Sequence, residues 1–301
     1  MTRAATSNTL GPRGKKCIDR NGGVGVLARG LVNDLEEALD KDNELYFVYQ
    51  PQINYREGRV GGTEALLRWR HPVYGEIPAP VTIAIAEDSM LIQALGLKVF
   101  DAACKQQAEW REKGIKDVKM SINLSINQLS DPELFNNVEK TLSKYNLPAK
   151  AIELEVTESI AVDSDSSDLT ILKKLGKLGV DLAIDDFGMG HTSLAYIKHF
   201  PVNTLKIDGS LSRDVLKDAV SQEVIITIVE FCNAINISVV VEFVESAEQL
   251  ELLWRLGCKV FQGYFFSPPL SSEACLNFIL NYKQDYMDAS IYSGYPQKQL
   301  T

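Results

Sequence analysis

The chain has 301 residues, 45% of them hydrophobic, and a formal net charge of -9. This is enough apolar material for one large core, and because some single domains reach about 250 residues, one barrel is as open a possibility as two domains. The negative balance excludes broad electrostatic binding to a nucleic acid polymer or an anionic membrane, which needs a basic face to release counterions. A small anionic substrate stays open if cations reverse the local sign.

Five cysteines, at 17, 104, 232, 258 and 275, are odd in number, scattered and without a CxxC spacing, so they read as reduced, mostly core thiols of a cytoplasmic chain. No apolar run approaches the roughly 18 residues of a spanning helix, and the start of the chain lacks a cleavable signal pattern. The expectation is a soluble cytoplasmic protein, or the cytoplasmic part of a membrane-anchored parent.

Residues 1–22 are polar, carry Arg3, Arg13, Lys15, Lys16 and Arg20, and show no apolar periodicity; they read as a disordered or linker tail, with a second tail at 286–301. The intervening 23–285 reads as one domain. Val26, Leu27, Leu31, Leu35 and Leu39 recur at helical spacing and predict a helix over 24–41 on the outside of that domain. The run LYFVYQ predicts a strand over 45–50 stopped by Pro51, and a second strand follows over 60–67. Only about ten residues separate the two, too few for a crossover helix, so they are antiparallel neighbours.

Strand and helix then alternate, the pattern of parallel strands joined by crossovers. Strands end near Asn123, Glu155, Asp185, Lys206, Glu242 and Gln262, with helices over 91–113, 132–145, 166–178, 192–198, 214–234, 247–256 and 271–282. With the first pair this makes eight strands. The predicted fold is α/β, a modified TIM-type (β/α) barrel with one antiparallel strand, the first or the second being reversed.

Chemistry in such barrels gathers at the C-terminal ends of the parallel strands. The stretch LAIDDFGMG (182–190) puts Asp185 and Asp186 at a strand end just before Gly188 and Gly190, and adjacent carboxylates repel unless one is protonated or a cation lies between them. The other strand ends add Gln50, Glu64, Asn123, Glu155, Lys206, Glu242 and Gln262, with Arg68 and Glu158 just downstream. Burying such groups unpaired costs several kcal/mol each, so they must pair or bind something. Carboxylates with one Asn amide suit Mg²⁺ or Mn²⁺, whereas His71, His191 and His199 do not form a zinc spacing. Two cations bridged by one carboxylate would orient a water for in-line displacement at phosphorus. Lys206 reads either as the group holding that water or as a structural ion pair with Asp185.

The segments TEALLRWRHP (63–72), SINLS (121–125), ELEVTES (153–159), AIDDFGMGHTSL (183–194), FPVNTLKIDGS (200–210), VVVEFVES (239–246) and QGYFFSPPL (262–270) resemble the signature blocks of EAL domains. These are bacterial phosphodiesterases that hydrolyse the second messenger cyclic di-GMP. The resemblance runs in order from about 43 to 280. It implies a barrel with an antiparallel strand, cleavage of cyclic di-GMP to linear pGpG, and a need for Mg²⁺ or Mn²⁺, two ions per site. By that resemblance Glu64, Asn123, Glu155 and Asp185 hold the first metal, and Asp185, Asp186 and Glu242 the second. Catalysis falls to Lys206, which contacts the nucleophilic water, together with Glu242, Glu64 and Asp186. Arg68 matches the phosphate-binding arginine, Gln50 and Asp208 match positions that meet phosphate and a guanine, and Gln262 lies beside them in support. Glu158 and Glu245 match residues that steady the site's loops.

The chain departs from the family around Glu242, where Val241 and Phe243 replace small residues, and in the loop where Met189 and His191 stand. Phe243 is expected to tilt Glu242 or narrow the cleft, which keeps open a second reading, a catalytically weak cyclic di-GMP receptor. A third is a barrel enzyme of another class, such as an enolase-like lyase using Lys206 as base. Members of the family often form homodimers and sit behind sensor or GGDEF domains. Leu216, Val220, Val224, Ile225 and Ile228 give helix 214–234 an apolar face for a partner subunit or for the barrel.

Overall fold

A computed structural model describes residues 24–41, 43–158, 167–188, 197 and 200–282. The two expected tails, the predicted helix over 192–198 apart from Ile197, and Cys17, Met189 and His191 lie outside the described residues.

Chain order begins with helix α1 (Val24–Asp40), then β1 (Leu45–Asn54) and β2 (Arg59–His71). These two strands form an antiparallel hairpin in which Gln50 faces Glu64. Asn54 Oδ1 accepts the Glu57 N–H at 3.0 Å and Gly58 takes φ 66°, closing the turn with an Asx bond and the residue that tolerates that backbone. Pro51 does not stop β1, contrary to the sequence expectation. The N–H and C=O of Tyr49 bond Leu270, and pairing with the next strand resumes at Ile53. Pro51 faces the gap between these contacts, where a missing donor costs no ladder bond.

Several elements escaped the sequence reading, among them the short strand β3 (Gly75–Ile77), which pairs with the end of β2, and helix α2 (Ala79–Asp88). The α2 run APVTIAIAED is apolar nearly all round and so lacks a helical stripe, but Pro80 suits a first turn, where its absent N–H is no loss.

The alternating part follows as α3 (Ile92–Glu112), β4 (Lys119–Asn123), α4 (Ile126–Leu129), α5 (Leu134–Lys144), β5 (Ile152–Thr157), α6 (Ser167–Leu178), β6 (Asp181–Phe187) and β7 (Thr204–Ile207). Then come α7 (Gly209–Ser212), α8 (Ala219–Ala234), β8 (Ser238–Val241), α9 (Ala247–Arg255), β9 (Val260–Phe261) and α10 (Ser272–Asn281). Helix α8 starts five residues later than the apolar pattern suggests, because the Asp218 carboxylate caps the N–H groups of Val220 and Ser221.

The strand order β1-β9-β8-β7-β6-β5-β4-β2-β3, with β1 also bonded to β2, closes an eight-stranded barrel and leaves β3 appended outside it. β2 and β4 to β9 are mutually parallel, and β1 runs against both neighbours. The first strand is therefore the reversed one. The closed sheet sets the C-terminal ends of seven parallel strands around one mouth.

The core lies between sheet and helices. Trp110 of α3 is fully buried edge-to-face on Tyr49 at 5.0 Å, and Ile225, Ile228 and Cys232 of α8 join the same cluster. Helix α1 packs outside the barrel, as its periodicity predicts: Leu31, Leu35 and Ala38 cover Leu45, Leu67, Trp69 and Ile77. His71 accepts the N–H groups of Val73 and Tyr74 on Nδ1, so its Nε2 carries the proton and donates to Asp34 of α1 at 3.1 Å. Cys104, Cys232, Cys258 and Cys275 are free and buried, as expected. Among the described residues no helix is long and apolar enough to cross a membrane.

At the opposite end of the barrel, Phe278 and Ile279 of α10 pack on Ile53, Val60 and Val118. Ser271 caps this helix, accepting the Ala274 N–H at 3.3 Å. Ser271→Ala is expected to cost about 1 kcal/mol in urea unfolding while leaving the mouth of the barrel unaltered.

Candidate metal centre

The side chain of Lys206 sits at the hub of the mouth, 1% exposed. Its Nζ lies 2.8 Å from Glu155, 2.9 Å from Glu242, 3.0 Å from Asp185 and 3.4 Å from Glu64. Four strands or strand ends thus deliver four carboxylates to one ammonium. Of the two readings of Lys206 left open, a pair with Asp185 alone is too small.

Glu64 is braced on both oxygens: Asn123 Nδ2 donates to Oε1 at 2.8 Å, and Gln262 Nε2 to Oε2 at 2.7 Å. The Gln262 amide also donates to Gln50 Oε1 at 3.2 Å and accepts from Gln52 Nε2 at 3.1 Å, while Gln50 donates to the Ser267 carbonyl. Gln50 and Gln262 are therefore buried parts of the frame that orients Glu64. Gln52 belongs to the same frame and escaped the sequence reading, although its spacing of two from Gln50 puts it on the same face of β1.

Consecutive residues of a strand point to opposite faces, yet Asp185 and Asp186 serve one pocket. A register shift between Ile184 and Phe187 and a left-handed Asp186, φ 55°, break the alternation. One ligand oxygen from each of Asp185, Asp186 and Glu242 comes within 4.8 Å of the others, as do those of Glu64, Glu155 and Asp185. Asp185 is common to both groups. Glu158 steadies this bend, its carboxylate accepting the Gly188 N–H at 3.0 Å and its own N–H bonding the Asp185 carbonyl at 3.0 Å.

Five carboxylates around one ammonium leave an excess of negative charge, and the titration behaviour reflects it. Burial, with Asp185 and Glu64 nearby, pushes Glu242 up to about 7 despite Lys206. Glu155 is raised well above the ordinary range by burial and by Glu64 and Asp185, and Asp186 is raised by burial, Asp185 and Asp208. Burial opposes ionisation of Glu64 too, but Lys206, Gln262 and Asn123 outweigh it and hold its carboxyl low. Burial likewise works against the Lys206 charge and loses to the carboxylates, raising the ammonium pKa well above its usual value.

The buried Glu155 Oε1 has no hydrogen-bond partner among the described residues, and Asp185 Oδ1 is near Lys206 yet off its hydrogen-bonding directions. Orphaned, buried carboxylate oxygens in an oxygen-only donor set fit a hard divalent cation. The clusters can bind metal ions.

Asp208 lies at the same mouth, capping α7 through the Ser210 N–H at 2.7 Å. Arg68 is half-buried and donates to the Leu67 carbonyl at 2.8 Å. Glu245 is exposed and engages the site through its N–H, which bonds Gln249 Oε1 at 2.8 Å.

The tilt expected from Phe243 is not seen, since Glu242 stays within the cluster. The ring packs onto Gly209, where Arg213 stacks over it at 4.1 Å. The backbone carries the consequence: Phe243 adopts φ 57°, a left-handed conformation that costs a bulky side chain about 1–3 kcal/mol.

A family model described as EAL domain matches residues 32–269. The signalling protein YkoW of Bacillus subtilis is 37% identical over 82% of this chain and 30% of its own length. The cyclic di-GMP phosphodiesterase PdeR of Escherichia coli is 36% identical over 81% of this chain and 36% of its own. The chain thus spans about a third of the length of these curated relatives. Among solved structures, the PaMucR phosphodiesterase in complex with c-di-GMP superposes with a TM-score of 0.77 at 36% identity, covering 82% of this chain and 99% of that one.

Proposed function

We propose, from the premise that this chain belongs to the EAL domain family, that it hydrolyses one phosphodiester bond of cyclic di-GMP to give linear pGpG. The observation that carries the reading is the pair of oxygen clusters sharing Asp185 around Lys206. Glu64, Asn123, Glu155 and Asp185 are assigned to one divalent ion, and Asp185, Asp186 and Glu242 to a second. Asn123 spends its N–H on Glu64, which leaves its carbonyl oxygen as the ligand. When bound, two Mg²⁺ or Mn²⁺ ions supply a water of lowered pKa and neutralise charge at the phosphorus.

The remaining work falls to the chain. Lys206 holds the attacking water with a fixed proton donor, in a place where burial strengthens every charge interaction. Gln262 and Gln50 keep Glu64 in one orientation. The guanidinium of Arg68 offers parallel donors that match a phosphate, and Asp208 accepts from a guanine edge. Glu158 fixes the bend that presents Asp186, and Glu245 its own loop. The domain is taken as residues 23–285 of a cytoplasmic chain, with room for sensor or GGDEF domains in a longer parent, and as a homodimer through α8 and the turn before it, where Val220 and Val224 of the helix and Leu216 of the turn are exposed.

The test is incubation of the protein with cyclic di-GMP and each divalent ion, with separation of products by mass. The expected result is pGpG with Mg²⁺ or Mn²⁺ and none from Glu64→Ala. Nucleotide binding that survives chelation, with no cleavage under any ion, would establish a receptor instead. A product with both phosphodiester bonds intact would point to lyase chemistry.

A further inference from the structure

The segment carrying Glu242 lies just beyond β8, where the Glu242 N–H still bonds the Ile207 carbonyl of β7 at 3.1 Å and the Val244 N–H the Gln262 carbonyl at 3.1 Å. The remaining backbone groups, the carbonyls of Glu242 and Phe243 and the N–H of Glu245, are held by side chains from two helices. Gln249 of α9, 5% exposed, donates from Nε2 to the Ser212 carbonyl at 2.8 Å and to the Phe243 carbonyl at 3.1 Å. Its Oε1 accepts the Glu245 N–H at 2.8 Å. Ser212 of α7 in turn donates from Oγ to the Glu242 carbonyl at 2.6 Å. One carboxamide therefore ties the end of α7, which follows the β7 strand bearing Lys206, to the loop bearing Glu242. On the far side, Gly263 lets the Val244 backbone approach so closely that an added Cβ would meet its oxygen.

We propose that Gln249 is a positioning residue for the Asp185, Asp186 and Glu242 cluster, acting through the Phe243 and Glu245 backbone to hold Glu242 in register with Lys206. The burden on it is unusual in this chain, because the residue it restrains is a phenylalanine in the left-handed region. Without the bond to its carbonyl, Phe243 relaxes toward ordinary φ values, and the adjacent Glu242 leaves the cluster.

The inference rests on the metal-site reading above, so its test reads cation binding directly as well as turnover. Gln249→Glu keeps the shape and the acceptor but loses both donors. It is expected to weaken Mn²⁺ binding about tenfold, measured by electron paramagnetic resonance titration of the weaker-binding ion. In the cyclic di-GMP assay it is expected to lower kcat about tenfold, with KM for the nucleotide changed less than twofold. Phe243→Gly in the same chain removes the backbone conflict and is expected to restore most of the Mn²⁺ affinity. Unchanged Mn²⁺ binding in Gln249→Glu, or a loss that Phe243→Gly does not recover, would overturn the proposal. Should Gln249→Glu fail to fold, Gln249→Met removes the same donors without adding a charge, and an Mn²⁺ affinity equal to that of the parent would overturn the proposal as well. If the parent binds Mn²⁺ but cleaves no cyclic di-GMP, the assigned substrate is at fault, and the Mn²⁺ titrations still decide the role of Gln249.

Discussion

Lys206→Met is expected to lower cyclic di-GMP turnover by about a thousandfold and to destabilise the cation-free protein. The catalytic loss follows from removing a preorganised donor in a buried site, where one such group is worth about 10²–10³ in kcat. The stability loss has a separate origin. Glu64, Glu155, Asp185 and Glu242 converge on one ammonium that is 1% exposed. Removing one side of a buried ion pair costs about 3–5 kcal/mol, partly relieved here as the carboxylates take up protons. Urea unfolding in the presence of chelator measures the second effect and product formation the first. A variant that unfolds like the parent and retains a tenth of its turnover would show that Lys206 is neither hub nor catalyst.

Divalent ions are expected to stabilise the protein, and by more at pH 8 than at pH 5.5. The sign comes from Glu242, whose carboxyl is pushed by burial from an ordinary 4.5 to about 7. Between those values the folded protein holds a proton that the unfolded chain has released, so this contribution is fully present below about 4.5 and is lost as pH rises through about 7. Glu155 and Asp186 are shifted in the same direction. A cation takes the place of the proton, so it adds most where the proton has gone. At a hundredfold excess over Kd the gain is about 2.7 kcal/mol, or roughly 5–10 °C in Tm for a domain of this size. Thermal melts with chelator, Mg²⁺ and Mn²⁺ at the two pH values check it. Equal shifts at both would mean that the ions bind elsewhere.

Much of this architecture is legible in the sequence because its signals are local. A connection too short for a helix makes β1 and β2 antiparallel, and strand ends bearing acids or amides locate the mouth. Pro51 misleads because its effect depends on what faces it across the sheet, a gap that no local pattern reveals. Helix α2 hides because it is apolar on most faces, and α8 starts late because Asp218 overrides the apolar stripe. At the site, carboxylates announce themselves, whereas the side chains that hold them do not. Gln52, Ser212 and Gln249 are ordinary polar residues until the fold sets them against Gln262, Glu242 and the Phe243 carbonyl. Phe243 shows the converse: its departure from the family pattern is visible in the sequence, but the strain falls on its own φ angle rather than on its neighbour.

The ammonium at the hub has a consequence for assembly. Acids gathered this closely would ordinarily need their ions on hand while the sheet closes, making the metal a folding factor. Lys206 serves as a counter-ion that is covalently part of the chain and arrives with β7 itself. On the proposed reading the barrel closes empty and is loaded afterwards, so that ion supply would govern when the site works and not whether the protein forms.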